Sequence, residues 1–295
     1  HWMVHSFPTR RSSDLLLNAA EYTNAFGGGA NVELTASPAA LSGNASDLAL
    51  KISGGTPVDI DLGGNTLTLS AGAILSTGAG PLTNTIRNGS LVFGTNDATG
   101  YEGILHVQQD LDLGAQITDN GANAVSLIKS GAGTLYVNTN LTYSGRTVIN
   151  GGTVVVNGNN FLGTNQLSLD GILRLADGVS QEIGMLAGSG RSTINIGANQ
   201  NLIIRGGVGN RNYYGTFTGA SSANIYKTGP NTQYIWNNSG SFAGEVFIQG
   251  GEIELIGSEG RMPDATWYIE NGGQLTLNNN NGTSQGDSDR LDSSK

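Results

Sequence analysis

Residues 128–156 read IKSGAGTLYVNTNLTYSGRTVINGGTVVV, and residues 226–255 read YKTGPNTQYIWNNSGSFAGEVFIQGGEIEL. Lys129 pairs with Lys227 and Gly131 with Gly229 at an offset of 98. Further on the offset is 99, which pairs Tyr143 with Phe242, Gly145 with Gly244, Ile149 with Ile248, and Val154 and Val156 with Ile253 and Leu255. Stacked coils repeat their chemistry along an axis, whereas a sandwich has no reason to do so, and the repeat therefore selects a solenoid. A slip of one residue would turn every inward side chain outward. Placing the extra residue in the turn Gly229-Pro230-Asn231 pairs Leu135 with Tyr234 and Val137 with Trp236, which assigns both aromatics to the core.

Working outward, apolar residues recur in alternation along most of the chain: Val32/Leu34, Leu48/Leu50/Ile52, Leu67/Leu69, Leu91/Phe93, Leu105/Val107, Ile194/Ile196, Leu202/Ile204, Trp267/Ile269 and Leu275/Leu277. A period of two places each set on one face of a short strand. Between the sets stand turn formers such as Gly63-Gly64-Asn65, Asn88-Gly89 and Gly250-Gly251. No amphipathic helix of useful length follows residue 25, and the class is all-β.

The 295 residues include 46 glycines and no cysteine, with 13% charged side chains and a net charge of −9. Absence of cysteine excludes disulfides and thiolate-bound zinc. The acidic balance and the lack of a basic block argue against nucleic-acid or anionic-lipid partners. Apolar runs are too short for a membrane-spanning helix, which needs about 20 residues. The opening is foreign to the rest: His5 to Leu15 reads HSFPTRRSSDL, the translation of a string resembling a sequencing adaptor. Residues 1–15 are set aside as an artefact, with which the net charge becomes −10.

The paired segments resemble the autotransporter-associated β-strand repeat, the passenger-associated transport repeat of bacterial autotransporter passengers. Lys129, Gly131, Gly133, Thr134, Leu135, Tyr143, Gly145, Thr147, Gly151, Gly152 and Thr153 carry the likeness, and Pro230, Asn231 and Glu252 make the second copy a degenerate one. The resemblance implies a right-handed, single-stranded parallel β-helix, exported and displayed at the surface of a Gram-negative-type cell in association with the outer membrane. It also implies a membrane-embedded β-barrel translocator or other anchor outside this chain. The expected organisation is one continuous solenoid over residues 16–280 and a polar loop or truncated end over 281–295.

Chemistry is sparse. Asp59/Asp61 and Asp110/Asp112 each put two carboxylates about 7 Å apart on one strand face, a spacing open to calcium binding or to acid–base work on polysaccharides. Their alternation with buried Val58, Ile60, Leu62, Leu111 and Leu113 reads equally as a solvated face. Lys129 and Lys227 recur with the repeat, and Arg146 aligns with Glu245, so an outward charge reverses between copies. His106 is the sole histidine after the set-aside start, expected to face solvent. No catalytic, cofactor or metal residue set is assigned, and the chain is read as a non-catalytic stalk or adhesin segment. A polysaccharide-active β-helix enzyme and a glycan-binding module are the alternatives. Tyr213, Tyr214 and Tyr268 are the candidate glycan contacts, with host or environmental surface glycans or proteins as partners.

Overall fold

The computed structural model of the chain describes residues 21–278, apart from 95, 98, 99 and 164 and the side chains at 96 and 97. The set-aside segment 1–15 and the polar segment 281–295 lie outside the described residues. Those residues hold strands and turns with no α-helix, and fall into two compact units, one running to Leu135 and one from Tyr136. Each unit is a parallel β-solenoid.

In the first unit, Asn31–Leu34 pairs with Ala45–Ile52, which pairs with Thr66–Ser76, then Gly100–Val107, then Val125–Ser130, all in parallel. One inward column thus reads Val32, Leu50, Ile74, Leu105 and Lys129. A second side of the coils, continuous with the first through the pairing of Thr66–Ser76 with Thr83–Phe93, stacks Asp59–Asp61, Thr83–Phe93 and Asp110–Thr118, aligning Ile60, Ile86 and Leu113. These apolar side chains are buried, each contributing about 1.5–3 kcal/mol by removal from water. The exceptions to parallel pairing among the described residues are the short hairpin of Asn96–Asp97 with Gly100 and Tyr101 and the single bridge between Asn120 and Asn123.

Leu48 departs from the alternation and is 41% exposed. The register shifts between Asp47 and Ala49, so that the buried Asp47 and Leu50 stand three positions apart and Leu48 between them turns out. A bulge at a coil corner overrides the period-two pattern. Asp47 is fully buried, and its carboxylate accepts the backbone N–H groups of Gly27, Gly28 and Gly29 at 2.9, 3.1 and 3.1 Å.

In the second unit the strands Ser180–Ile183, Asn201–Ile204, Asn224–Lys227, Glu245–Ile248 and Thr266–Ile269 form one five-stranded parallel sheet. Their first residues are 21 to 23 positions apart, which is the length of one coil. Inward columns read Gln181, Leu202, Ile225, Val246, Trp267 and Ile183, Ile204, Lys227, Ile248, Ile269. At the last described strands the inward face is open: Ile269 and Leu277 are 54% and 45% exposed.

The second repeat copy takes a different phase from the one expected. Gln233 and Ile235 are buried, while Tyr234 and Trp236 face outward. The offset of 98 therefore holds through the strand Thr232–Ile235, aligning Thr134 with Thr232 and Tyr136 with Tyr234. The extra residue falls later, among residues 236–241, before buried Phe242 takes the place of buried Tyr143. Gln233 is accommodated because its amide nitrogen donates to the carbonyls of Leu186 and Arg211, each at 3.1 Å, so that a polar side chain occupies an inward position without stranding its donors.

The turns after the two lysines show why the repeat spells glycine there. Gly131 has φ +82°, and a Cβ on it would stand 2.4 Å from the Val107 carbonyl oxygen. At Gly229 a Cβ would stand 1.4 Å from the Arg205 carbonyl oxygen, so that only glycine fits without moving the coil beneath.

Candidate functional site

The outward face of the five-stranded sheet carries the densest grouping of recognition-type side chains. One outward column reads Glu182, Ile203, Tyr226, Phe247 and Tyr268. Parallel pairing in register places the three rings one above another. Tyr226 and Phe247 stack with centroids 4.7 Å apart and planes 9° apart, and Phe247 and Tyr268 repeat that geometry. The next column reads Ser180, Asn201, Asn224, Glu245 and Thr266, in which Asn224 donates to Asn201 and Asn201 to Ser180, each at 2.9 Å. Beyond the ladder on the other side, Gln249 donates to Glu270 at 3.1 Å, and Arg205 pairs with Glu182 at 2.7 Å.

This face is electronegative at the ladder. The Tyr226 hydroxyl is held above the ordinary phenol range by partial burial and then by the charges of Glu245 and Glu270. Tyr268, 39% exposed, donates its hydroxyl to Glu245 at 3.2 Å, and that bond is the main reason its own proton is held more tightly.

The three tyrosines expected on the surface are not alike. Tyr213 belongs to the core: it is fully buried, its ring stands 4.8 Å from Phe217, and its hydroxyl donates to the Thr216 carbonyl at 3.0 Å. It offers no surface to a ligand. Tyr214 is outward and half-buried, stacked at 5.4 Å on Trp236, whose indole N–H donates to Asn212 at 2.8 Å. Tyr268 is outward and ends the described part of the ladder. Phe247, the middle rung, carries no signal as a lone phenylalanine. Its signal is the 21-residue spacing from both Tyr226 and Tyr268, one coil length each way.

All four candidate acids share one sheet in the first unit, since Asp59 aligns with Thr85 and Asp112, and Asp61 with Arg87. Arg87 stands among them. Its guanidinium binds Asp59 twice, through Nε at 2.9 Å and Nη2 at 3.0 Å, and reaches Asp61 at 2.8 Å. Asp61 also accepts from Gly63 N–H and the Asn88 amide, and these bonds hold its carboxyl below the usual range. Asp110 accepts the Thr134 N–H at 2.7 Å. The carboxylates of Asp59, Asp61 and Asp110 are engaged in tying coils together. Among the described residues no group of three or more His, Cys, Asp or Glu is placed to hold a metal ion.

His106 points outward and is half-buried, with Nδ1 2.9 Å from Ser130 Oγ and Nε2 2.9 Å from the Gln108 amide. Burial lowers its proton affinity, and the charge of Lys129 lowers it further. The recurring lysines lie inside the coils and grip no external anion. The Lys129 ammonium donates to the carbonyls of Gly131 at 2.8 Å and Gly133 at 2.6 Å, and Lys227 donates to that of Gly229. Burial pushes the ammonium of Lys129 down to about 8, against the pull of Asp110, and burial alone pushes that of Lys227 to about 8.

A parallel solenoid whose repeat spells a buried lysine and the glycine turn it closes is the class of fold that these observations define. Residues 127–156 match the family model described as passenger-associated-transport-repeat. Those thirty residues carry the repeat, and together with the likeness to an autotransporter adhesin they support an autotransporter passenger. The passenger family implies a secreted or surface localisation in Gram-negative bacteria. The chain is similar to the adhesin BmaC autotransporter of Brucella suis biovar 1 (strain 1330), at 28% identity over 236 residues. That similarity covers 72% of this chain and 7% of the relative's length. No solved structure matches the chain.

Proposed function

We propose that this segment is a non-catalytic scaffold within an adhesin-like passenger, giving length and stiffness to a protein held at the outer membrane by a β-barrel translocator. The observation that carries this reading is the difference between the two faces of the coils. Inward columns continue from coil to coil within each unit, whereas outward charge is used to fasten neighbouring coils, as Arg87 does with Asp59 and Asp61. Function on such a frame is display, and the partners are glycans or proteins of a host or environmental surface.

The reading is tested by displaying the chain on a non-adherent cell and measuring attachment, alongside assay of the purified chain on a panel of polysaccharides. Attachment that depends on the segment and an absence of turnover are expected. Turnover that disappears on changing Asp59, Asp61, Asp110 or Asp112 to Asn would overturn the non-catalytic reading.

A further inference from the structure

The ladder Tyr226–Phe247–Tyr268 is the one outward aromatic array in register along several consecutive described coils, and its geometry restricts what it can bind. A pyranose stacks on the face of a ring. Here the faces are taken up by each other at 4.7 Å, so that between neighbouring rungs no sugar fits. What remains to solvent is a continuous rail of ring edges, repeated at the spacing of a parallel sheet. The column beside it carries the shorter Asn201, Asn224, Glu245 and Thr266. A ridge next to a lower row is a groove parallel to the stacking direction, the same surface that stacked identical side chains make on cross-β assemblies.

Charge decides the sign of the occupant. Glu245 lies in the lower column and Glu270 at the far side of the ladder, close enough for both to bear on the Tyr226 hydroxyl. Arg205, the cation of this face, is paired with Glu182 at the opposite end of the column. We infer that the outward groove along Tyr226, Phe247 and Tyr268 binds elongated, planar, cationic aromatic molecules that lie along the coil axis. The rings are already stacked and Tyr268 is already fixed to Glu245, so that little ordering is needed on binding. Burial of two flat apolar surfaces drives the association, and the carboxylates select the charge.

Thioflavin T is the probe: a planar cation long enough to cross several rungs. Titrated into the full chain at low salt, it should bind with a fluorescence increase, while the planar dianion Congo red should not. Phe247→Ala removes the middle rung and should weaken thioflavin T binding by about tenfold or more. Glu245→Gln with Glu270→Gln should weaken it by roughly three- to tenfold at low salt, a difference that closes as salt screens the charges. The double variant alters only surface carboxylates, so that it decides the matter if the Phe247→Ala chain loses its β circular dichroism. No thioflavin T binding, affinity unchanged in a folded Phe247→Ala chain, or Congo red bound as tightly as the cation would each overturn the inference.

Discussion

The ammonium of Lys129 lies 2.6 Å from the carbonyl oxygen of Gly133, inside the coil and in the column that holds Leu105 one coil before. The side chain closes the glycine turn that follows its own strand. Its methylenes fill the column and its donors satisfy carbonyls that the turn points inward. Lys227 repeats the arrangement beside Ile204 and Ile248.

Replacing Lys129 by Met keeps the apolar stem and removes the donor. The charge no longer has to be desolvated, but the Gly131 and Gly133 carbonyls lose a donor in a buried place. Loss of the donor is expected to prevail, at a net cost of about 1–3 kcal/mol in urea unfolding.

The lysines also give stability a pH dependence. Their folded pKa of about 8 lies below the ordinary value of 10.5, so the unfolded chain binds more protons between those values. Stability then rises with pH across that window. Tyr143 acts in the opposite sense above pH 10, since burial holds its phenol at about 12 and the unfolded chain ionises first. Buried Tyr213 is shifted upward too. The denaturation midpoint should climb from pH 8 to near 10 and fall beyond it. The chain with Met at both 129 and 227 should lose the climb and keep the fall.

Tyr234 and Trp236 face outward, and Ile235 between them is buried. Ile235→Ala is therefore expected to cost about 2–5 kcal/mol, as a cavity in a packed column does. Tyr234→Ala should cost about 1 kcal/mol or less. Equal costs from denaturant curves of the two variants, or a reversed order, would contradict the phase.

Asp47 holds three consecutive glycine N–H groups from a fully buried position. Asp47→Ala should cost about 3 kcal/mol, since those donors lose a charged acceptor. Amide exchange at Gly27, Gly28 and Gly29 should quicken in the same variant.

Much of the fold was legible because a solenoid writes its coils into the sequence. The alternation of Leu105/Val107 or Ile194/Ile196 gives strands, and the recurrence of Lys129 and Gly131 at Lys227 and Gly229 gives stacking. The candidate site was less legible. Tyr268 reads as a surface aromatic, but the ladder around it depends on Phe247 and Tyr226 standing one coil and two coils before it, and a coil length is known only once the turns are placed. Tyr213 looked like its neighbour Tyr214, and adjacent residues on a strand face opposite ways.

The sequence by itself determined the all-β class, the stacked repeat and the exclusion of disulfides, because these follow from period, recurrence and residue type. Tertiary structure alone decided where the second copy absorbs its extra residue. Matching Leu135 with Tyr234 kept an apolar residue inside, and in isolation that is the cheaper choice. The coil instead buries Gln233, because Leu186 and Arg211, far off in the chain, bring carbonyls to its amide. A polar side chain becomes an inward one when partners from other coils meet it, and the local pattern does not contain them.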